Sequence, residues 1–359
     1  MNKALFAGLT ALTVASGCAL VGTSSSELKN AYKAFELKTI AANPEAVTLH
    51  SNCVYFSANN FKLNKSGSIL RITPDDKLER IVNLPTHKDG SRVSPLGLAW
   101  GPDGHLYVCD NQFSDTSWGK SCLWRIEFDK DVPKQALIVA KGFNHINGIA
   151  VKGNEIFVTE TVFKRQGDTT LGAVYKFTVA ELAGIKPPLT VKMDPSDAHC
   201  LLTITTQAKK GYPFSANGLT FDQQGDLYVC SFGDGVLWKA TLDATGKVLE
   251  CKPFVDAKKT AGLITLDGAH FDETDQMIWV ADLLGNAIGK ICPKTGKVTL
   301  VAKAPIPNDG PNSALDTPAD VIRRGNKLYV VNYNLGFGAH VATDDQSIAV
   351  IHLDPPAIK

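Results

Sequence analysis

One pattern of polar and apolar positions recurs along the chain. A polar or small residue is followed by a glycine, a short apolar stretch, a turn and an aromatic-rich strand. The copies read PEAVTLHSNCVYFSAN, PLGLAWGPDGHLYVCD, INGIAVKGNEIFVTE, ANGLTFDQQGDLYVCS, LDGAHFDETDQMIWVAD and TPADVIRRGNKLYVVN. Self-similarity at a fixed period marks stacked supersecondary units and takes precedence over any local reading. The residue before the glycine column is Glu45, Leu96, Asn147, Asn217, Asp267 and Ala319. The copies therefore start about 50 residues apart, with one interval of about 70. The long interval is one repeat plus an insertion of about 19 residues, placed in the Pro-bearing stretch from Glu181 to Cys200.

Each unit reads as four short strands. The second alternates, as in Leu106-Tyr107-Val108, Leu227-Tyr228-Val229, Ile278-Trp279-Val280 and Leu328-Tyr329-Val330. A third follows in SILRI, CLWRI, AVYKF, VLWKA, AIGKI and SIAVI, and a fourth in ERIVNL, ALIVA and VTLVA. Turn clusters such as PDG, KGN, QQGD and CPKTGK separate them. Four strands in each of six such units predict an all-β fold, a six-bladed β-propeller over residues 44–359. The stretch from Leu28 to Ile40 precedes the first unit and is expected to supply an outer strand that closes the ring onto the last blade.

Residues 1–18 read as an export signal: Lys3 is the positive start, Ala4 to Val14 is an apolar run too short to span a bilayer, and small residues follow. The segment ends Ala15-Ser16-Gly17-Cys18, which resembles a bacterial lipobox, with Cys18 lipidated as the mature N-terminus. Residues 19–43 then hold a short tether, Thr23 to Ser26, and the closing strand. The expected location is periplasmic or cell-surface as a lipoprotein, with ordinary secretion as the alternative. The only expected membrane contact is that anchor.

Lys and Arg together (37) nearly equal Asp and Glu (36), so no field favours nucleic acid. The expected partner is a small-molecule substrate. Seven cysteines remain after Cys18, and an odd number cannot all pair within the chain. Cys109 and Cys230 occupy equivalent strand positions and read as buried free thiols. Cys251 and Cys292 lie on outer strands of neighbouring units, where pairing is open.

In a propeller the innermost strands begin at the central channel, so one column of the repeat becomes a ring. Glu45, Asn147, Asn217 and Asp267 bring two carboxylates and two amides to that ring, and Leu96 and Ala319 complete it. Such a donor set suits one hard divalent cation, Ca²⁺ preferred, with Mg²⁺, Mn²⁺ or Zn²⁺ left open. Asn-Gly and Asp-Gly are also the strongest hairpin-turn dipeptides. Here, however, each precedes an apolar strand, and Glu45 precedes Ala46 with no turn to explain it. Gly97, Gly148, Gly218 and Gly268 are expected where backbones crowd together.

These motifs, clearest in ANGLTFDQQGDLYV and LDGAHFDETDQMIWVADLLGNAIGKICPKTG, resemble the SMP-30/gluconolactonase/LRE-like family of six-bladed propellers. More distantly they resemble the paraoxonase and diisopropylfluorophosphatase enzymes. The resemblance covers roughly residues 44 to 353. It implies a catalytic divalent metal held by Glu45, Asn147, Asn217 and Asp267, and hydrolysis of a lactone or related ester. Asp267 is the candidate catalytic residue, binding the cation and taking a proton. The chain departs from the family in two places: PEAVTLHSN lacks the Trp often found after the family's Glu, and the last unit offers Asp320 and His340. His145 reads as a solvated loop residue and His270 as a channel-wall residue. Asp110, Glu160, Asp282 and Asn332, which close successive second strands, read as structural hydrogen-bonders. The competing class is a non-catalytic, NHL-like binding propeller with a structural metal.

The export reading has a direct check. In the native host the protein should fractionate with membranes, and Cys18→Ser should release it or block its processing. Soluble behaviour of both forms would leave ordinary secretion.

Overall fold

The repeated strands are short, apolar and bounded by turn residues, and each is stable only when covered on both sides. The computed structural model describes residues 27–113, 118–184, 187–207, 212–306, 313–336, 338–344 and 346–353. The signal, Cys18 and the tether lie outside them. The strands form six sheets arranged as a six-bladed β-propeller. The innermost strands of blades 1 to 6 are Pro44–His50, Pro95–Trp100, Ile146–Lys152, Ala216–Phe221, Ala269–Asp272 and Pro318–Arg324. Each pairs antiparallel with the strand that follows it.

Six apolar clusters hold the ring together, one at each contact between neighbouring blades. Between blades 3 and 4, Phe157, Val174 and Ile204 meet Leu219, Leu227 and Val229. Between blades 4 and 5, Tyr228, Cys230 and Leu237 meet Ile278, Val280 and Ile291. Successive residues of Leu227–Ser231 thus face opposite neighbours, and all five are buried. The second strands are not half-exposed, as alternation alone would imply. They are buried on both faces, like strands of a sheet covered on each side.

The ring closes as expected. Ala31–Glu36 pairs antiparallel with Ser347–His352, from Ala31 opposite Ile351 to Glu36 opposite Ser347. Blade 6 is therefore built from both ends of the described chain. Leu37 and Ala41 continue the N-terminal segment into the cluster between blades 6 and 1. The insertion also lies where expected. It separates the third and fourth strands of blade 3, forms the short helix Val179–Leu182, and lays Leu189–Thr190 parallel to Ala140–Lys141 as a fifth strand on blade 2. Thr178 and Glu181 cap that helix reciprocally.

The residues closing the second strands act as tethers. Glu160 accepts from the Asn144 and His145 N–H groups, each at 2.8 Å. Asp282 accepts from Ile264 and Thr265, and Asp110 from Ser94. Each carboxylate pins the connection that leads into an inner strand, which fixes where that strand starts. Cys53, Cys109, Cys122, Cys200, Cys230 and Cys251 are free thiols, so the pairing left open between Cys251 and Cys292 is not made.

At the channel the blades touch through backbone. A Cβ on Gly97, Gly148 or Gly218 would stand 2.4 Å from the carbonyl oxygen of Asn147, Asn217 or Asp267 on the next blade. The obstacle is main chain and cannot swing aside. Gly148→Ala should therefore destabilise the fold by about 1–3 kcal/mol, the usual range for overpacking. A denaturant midpoint equal to that of the unsubstituted protein would show that the ring can widen.

Candidate metal centre

In blades 1 to 4 the ring residues leave the ladder because the inner strand begins with a bulge, and in blade 5 Asp267 lies just before the strand Ala269–Asp272. In blade 3 the pairing skips from Ile146 opposite Glu160 to Ile149 opposite Val158, leaving Asn147 and Gly148 outside the ladder. The same skip frees Glu45 and Ala46, Leu96 and Gly97, and Asn217 and Gly218. A bulge re-aims a side chain that regular pleating would send into a blade interface. The Asn-Gly pairs are therefore not hairpin turns. Their glycines have no left-handed backbone and serve the close approach of the next blade.

Second-strand residues fill the bulges from behind. Thr159 Oγ1 accepts from Gly148 N and donates to Asn217 O, both at 2.7 Å, so blade 3 fixes the Asn217 backbone of blade 4. Ser57 Oγ accepts from Ala46 N at 3.1 Å. Between blades, Gly218 N donates to Asp267 O at 3.0 Å, and Gly268 N to Ala319 O at 2.8 Å.

Glu45, Asn147, Asn217 and Asp267 are brought together. All four line two cavities at once, a narrow one of about 30 Å³ running down the channel and a wider one of about 70 Å³ on the face where the inner strands begin. They form the constriction between the two. Leu96 lines the wider cavity and Ala319 the narrower. Glu45 and Asp267 are buried, at 7% and 3% exposure. Burial raises the Glu45 carboxyl well above the ordinary carboxylate range, and the charges of Asp267 and Asp320 add to it. Burial likewise raises Asp267, as does the charge of Asp320, while a hydrogen bond from the Asn217 side chain opposes the shift. No Lys or Arg is among the residues described as lining either cavity. Two buried carboxylates with two amides and no compensating side-chain cation fit a hard divalent ion by charge and donor type.

Asp320 has a part that the sequence pattern did not assign. It occupies the glycine column of blade 6, and its carboxylate lies against Gly268, where a Cβ would stand 2.1 Å from Oδ1. Its oxygens accept from Val47 N at 3.0 Å and Val321 N at 2.8 Å, and His270 Nε2 lies 3.1 Å away. Burial alone would lower the His270 pKa, but the Asp320 charge and hydrogen bond outweigh it, so the pKa is raised. Asp320 and His270 therefore join blades 5, 6 and 1. The signal was present as a lone carboxylate in a column otherwise held by Gly or Ala.

The other candidates separate by position. His145 is buried and lines the wider cavity, contrary to its reading as a solvated loop residue. His340 is buried, with Nε2 3.1 Å from the Leu284 carbonyl oxygen. Tyr333 escaped the sequence reading. It lines the wider cavity, and burial, then the charges of Glu45 and Asp267, raise its hydroxyl and keep it protonated. A separate cluster, His87, Asp110 and Cys122, has donor atoms within 4.8 Å of one another. Asp110 there already accepts from Ser94 N, Gln112 Nε2 and Trp124 Nε1 and pairs with His87, which suits a tether.

The chain matches no protein-family model and no curated protein. Among solved structures it is similar to a luciferin-regenerating enzyme, with TM-score 0.59 and 15% identity over 91% of this chain and 98% of that one. It is similar to a gluconolactonase from Xanthomonas campestris, with TM-score 0.56 and 13% identity over 89% of each chain. It is also similar to the PQQ-bound aldose sugar dehydrogenase of Streptomyces coelicolor, with TM-score 0.52 and 14% identity over 90% of this chain and 98% of that one. At these identities the likeness shows the fold. The named activities differ, so the chemistry has to be argued from the site.

The raised carboxyls have a measurable consequence. An acid whose pKa is higher in the folded state than in the unfolded chain makes the protein lose stability as pH rises from the unfolded value, about 4, through the folded one. Asp267→Asn should therefore raise the melting temperature of the cation-free protein at neutral pH. It should also weaken cation binding by about a hundredfold or more, because a charged ligand is lost. Asn217→Ala should weaken binding less, with excess cation restoring it. Equal cation affinity of Asp267→Asn and the unsubstituted protein, measured by calorimetry, would remove Asp267 from the site.

Proposed function

We propose that the protein is a divalent-metal-dependent hydrolase acting on a lactone or related ester at the constriction of its channel. The observation carrying this reading is the convergence of Glu45, Asn147, Asn217 and Asp267 at the floor of a cavity reached from one face. Glu45 and Asp267 supply the charge for the cation, and Asn147 and Asn217 supply neutral oxygens. When bound, such an ion supplies Lewis acidity, polarising a carbonyl and lowering the pKa of water.

The chain's own residues then have separable roles. The cavity walls orient the acyl group toward the floor and exclude bulk water. Asp267 is the charged group placed to take the proton as water attacks the carbonyl carbon. A carbon–oxygen bond forms to that water while the ring carbon–oxygen bond breaks. The proton passes to the departing ring oxygen, and a hydroxy acid leaves. The gluconolactonase likeness supports this chemistry without specifying the substrate.

From the signal-like residues 1–18 we also propose export, as a periplasmic or cell-surface lipoprotein held at Cys18 or by ordinary secretion. The buried thiols are compatible with that setting. Burial pushes the Cys122 thiol up to about 12 and Cys200 and Cys251 to about 11, and little reactive thiolate is present at neutral pH.

A hydrolysis screen on lactones and phosphotriesters, with and without chelator, tests the proposal. Turnover of at least one lactone should vanish with chelator and return with added Ca²⁺. Strong cation stabilisation with no turnover of any substrate would assign the protein to the binding-propeller class.

A further inference from the structure

The wider cavity has walls unlike its floor. Leu96, Phe113, Phe214, Phe232, Leu283 and Tyr333 surround it, contributed by blades 2, 4, 5 and 6. The only ionisable carboxylates among the described lining residues are Glu45 and Asp267, which belong to the floor. Besides the floor residues, the polar wall groups are Asn111, Thr161, Tyr333 and the buried His145, and the first two are committed to the fold. Asn111 Nδ2 donates to the Ile146 carbonyl at 3.1 Å and its Oδ1 accepts from Phe113 N at 2.8 Å. Thr161 Oγ1 donates to the Ala216 carbonyl at 2.7 Å.

We infer that the substrate is a compact apolar lactone, with an aryl or short alkyl substituent, and not a polyhydroxylated sugar lactone. This rests on the lactone-hydrolase reading of the same site. Two physical points carry it. A sugar lactone brings several hydroxyls, each of which must exchange water for a protein partner on entry, and this wall has few to give. The cavity of about 70 Å³ holds about five waters at the usual volume per site, which matches one five- or six-membered ring. A substituent beyond that ring meets the mouth, where Phe113, 40% exposed, packs edge-to-face on Phe61 with ring centres 5.1 Å apart. A flat apolar group is what such a rim recognises.

The test separates binding from turnover. Two lactams that resist hydrolysis serve as probes, 3,4-dihydroquinolin-2-one as the apolar one and gluconolactam as the polyhydroxylated one. Each is titrated calorimetrically into Ca²⁺-loaded protein and into Phe113→Asn. Asn suits the left-handed backbone at that position, where φ is 52°, and the side chain is exposed enough for the variant to fold. Phe214→Ala provides a second variant. The apolar lactam should bind at least about tenfold more tightly than gluconolactam, and either variant should reduce that preference by about threefold or more. Dihydrocoumarin and glucono-δ-lactone are compared as substrates in parallel. Gluconolactam binding equally or more tightly, or neither probe binding, overturns the inference. Efficient turnover of glucono-δ-lactone over dihydrocoumarin overturns it while leaving the hydrolase reading intact. Tight, Phe113-dependent binding of the apolar lactam with no hydrolysis of any lactone supports the ligand class and removes the hydrolase.

Discussion

The structure depends on how closely six inner strands can approach one axis. Their contact is glycine against carbonyl, Gly97 on Asn147, Gly148 on Asn217 and Gly218 on Asp267. A Cβ at Gly97, Gly148 or Gly218 would hold those blades apart, while blade 1 has Ala46 in the column. Because the glycines take the contact, the preceding residues can leave the ladder in a bulge and point into the channel. Stability and chemistry thus use adjacent residues for different purposes. The apolar clusters between blades hold the ring, and the bulges turn polar side chains into the channel without disturbing those clusters.

Blade 6 breaks the glycine rule and shows how the ring tolerates it. Asp320 takes the column, and its carboxylate replaces backbone contact with hydrogen bonds to Val47 N, Val321 N and the His270 ring. That leaves three carboxylates, Glu45, Asp267 and Asp320, in one buried channel. Asp320 has a basic partner and two N–H donors. Asp267 has an amide, and Glu45 feels both other acids, so the excess negative charge collects at the constriction. Buried like charges are tolerated when a bound cation or a proton compensates them. The same field extends to Tyr333 and keeps its hydroxyl protonated beside the cavity.

Much of this was legible because it is periodic. Six copies of one strand pattern marked six blades, and the column before the glycine marked a ring containing Glu45, Asn147, Asn217 and Asp267. The insertion was visible as one overlong interval, and the closing strand as a segment left over before the first copy. What was missed is only partly aperiodic. Phe232, Leu283 and Tyr333, with Asn111 and Thr161, each follow the closing residue of a second strand and form a second column that mixes apolar and polar types, whereas Phe113 and Phe214 lie on connections outside it. The burial of His145 depended on the same loops. Asp320 was visible, but its part in joining blades 5, 6 and 1 follows from a contact with Gly268 that spacing does not show.

The cysteines show why position in the ring outweighs composition. An odd cysteine count invites a search for disulfides and a leftover thiol. Cys109 and Cys230 instead point into the interfaces with blades 3 and 5, and Cys109 Sγ lies 3.7 Å from the Gly148 carbonyl oxygen. They stand in the second-strand column that Thr159 and Ser57 occupy in blades 3 and 1, directly behind the bulges. In blades 1 to 5 the space behind the start of the inner strand is filled by a small side chain, and in blade 6 by Val331. A thiol, a hydroxyl or a methyl each fills that space, as Cys109, Thr159 and Ala281 do. Bridging either thiol to a partner would require pulling apart the blade contact on which the channel ring is built, so at these positions cysteine serves as a small packing residue.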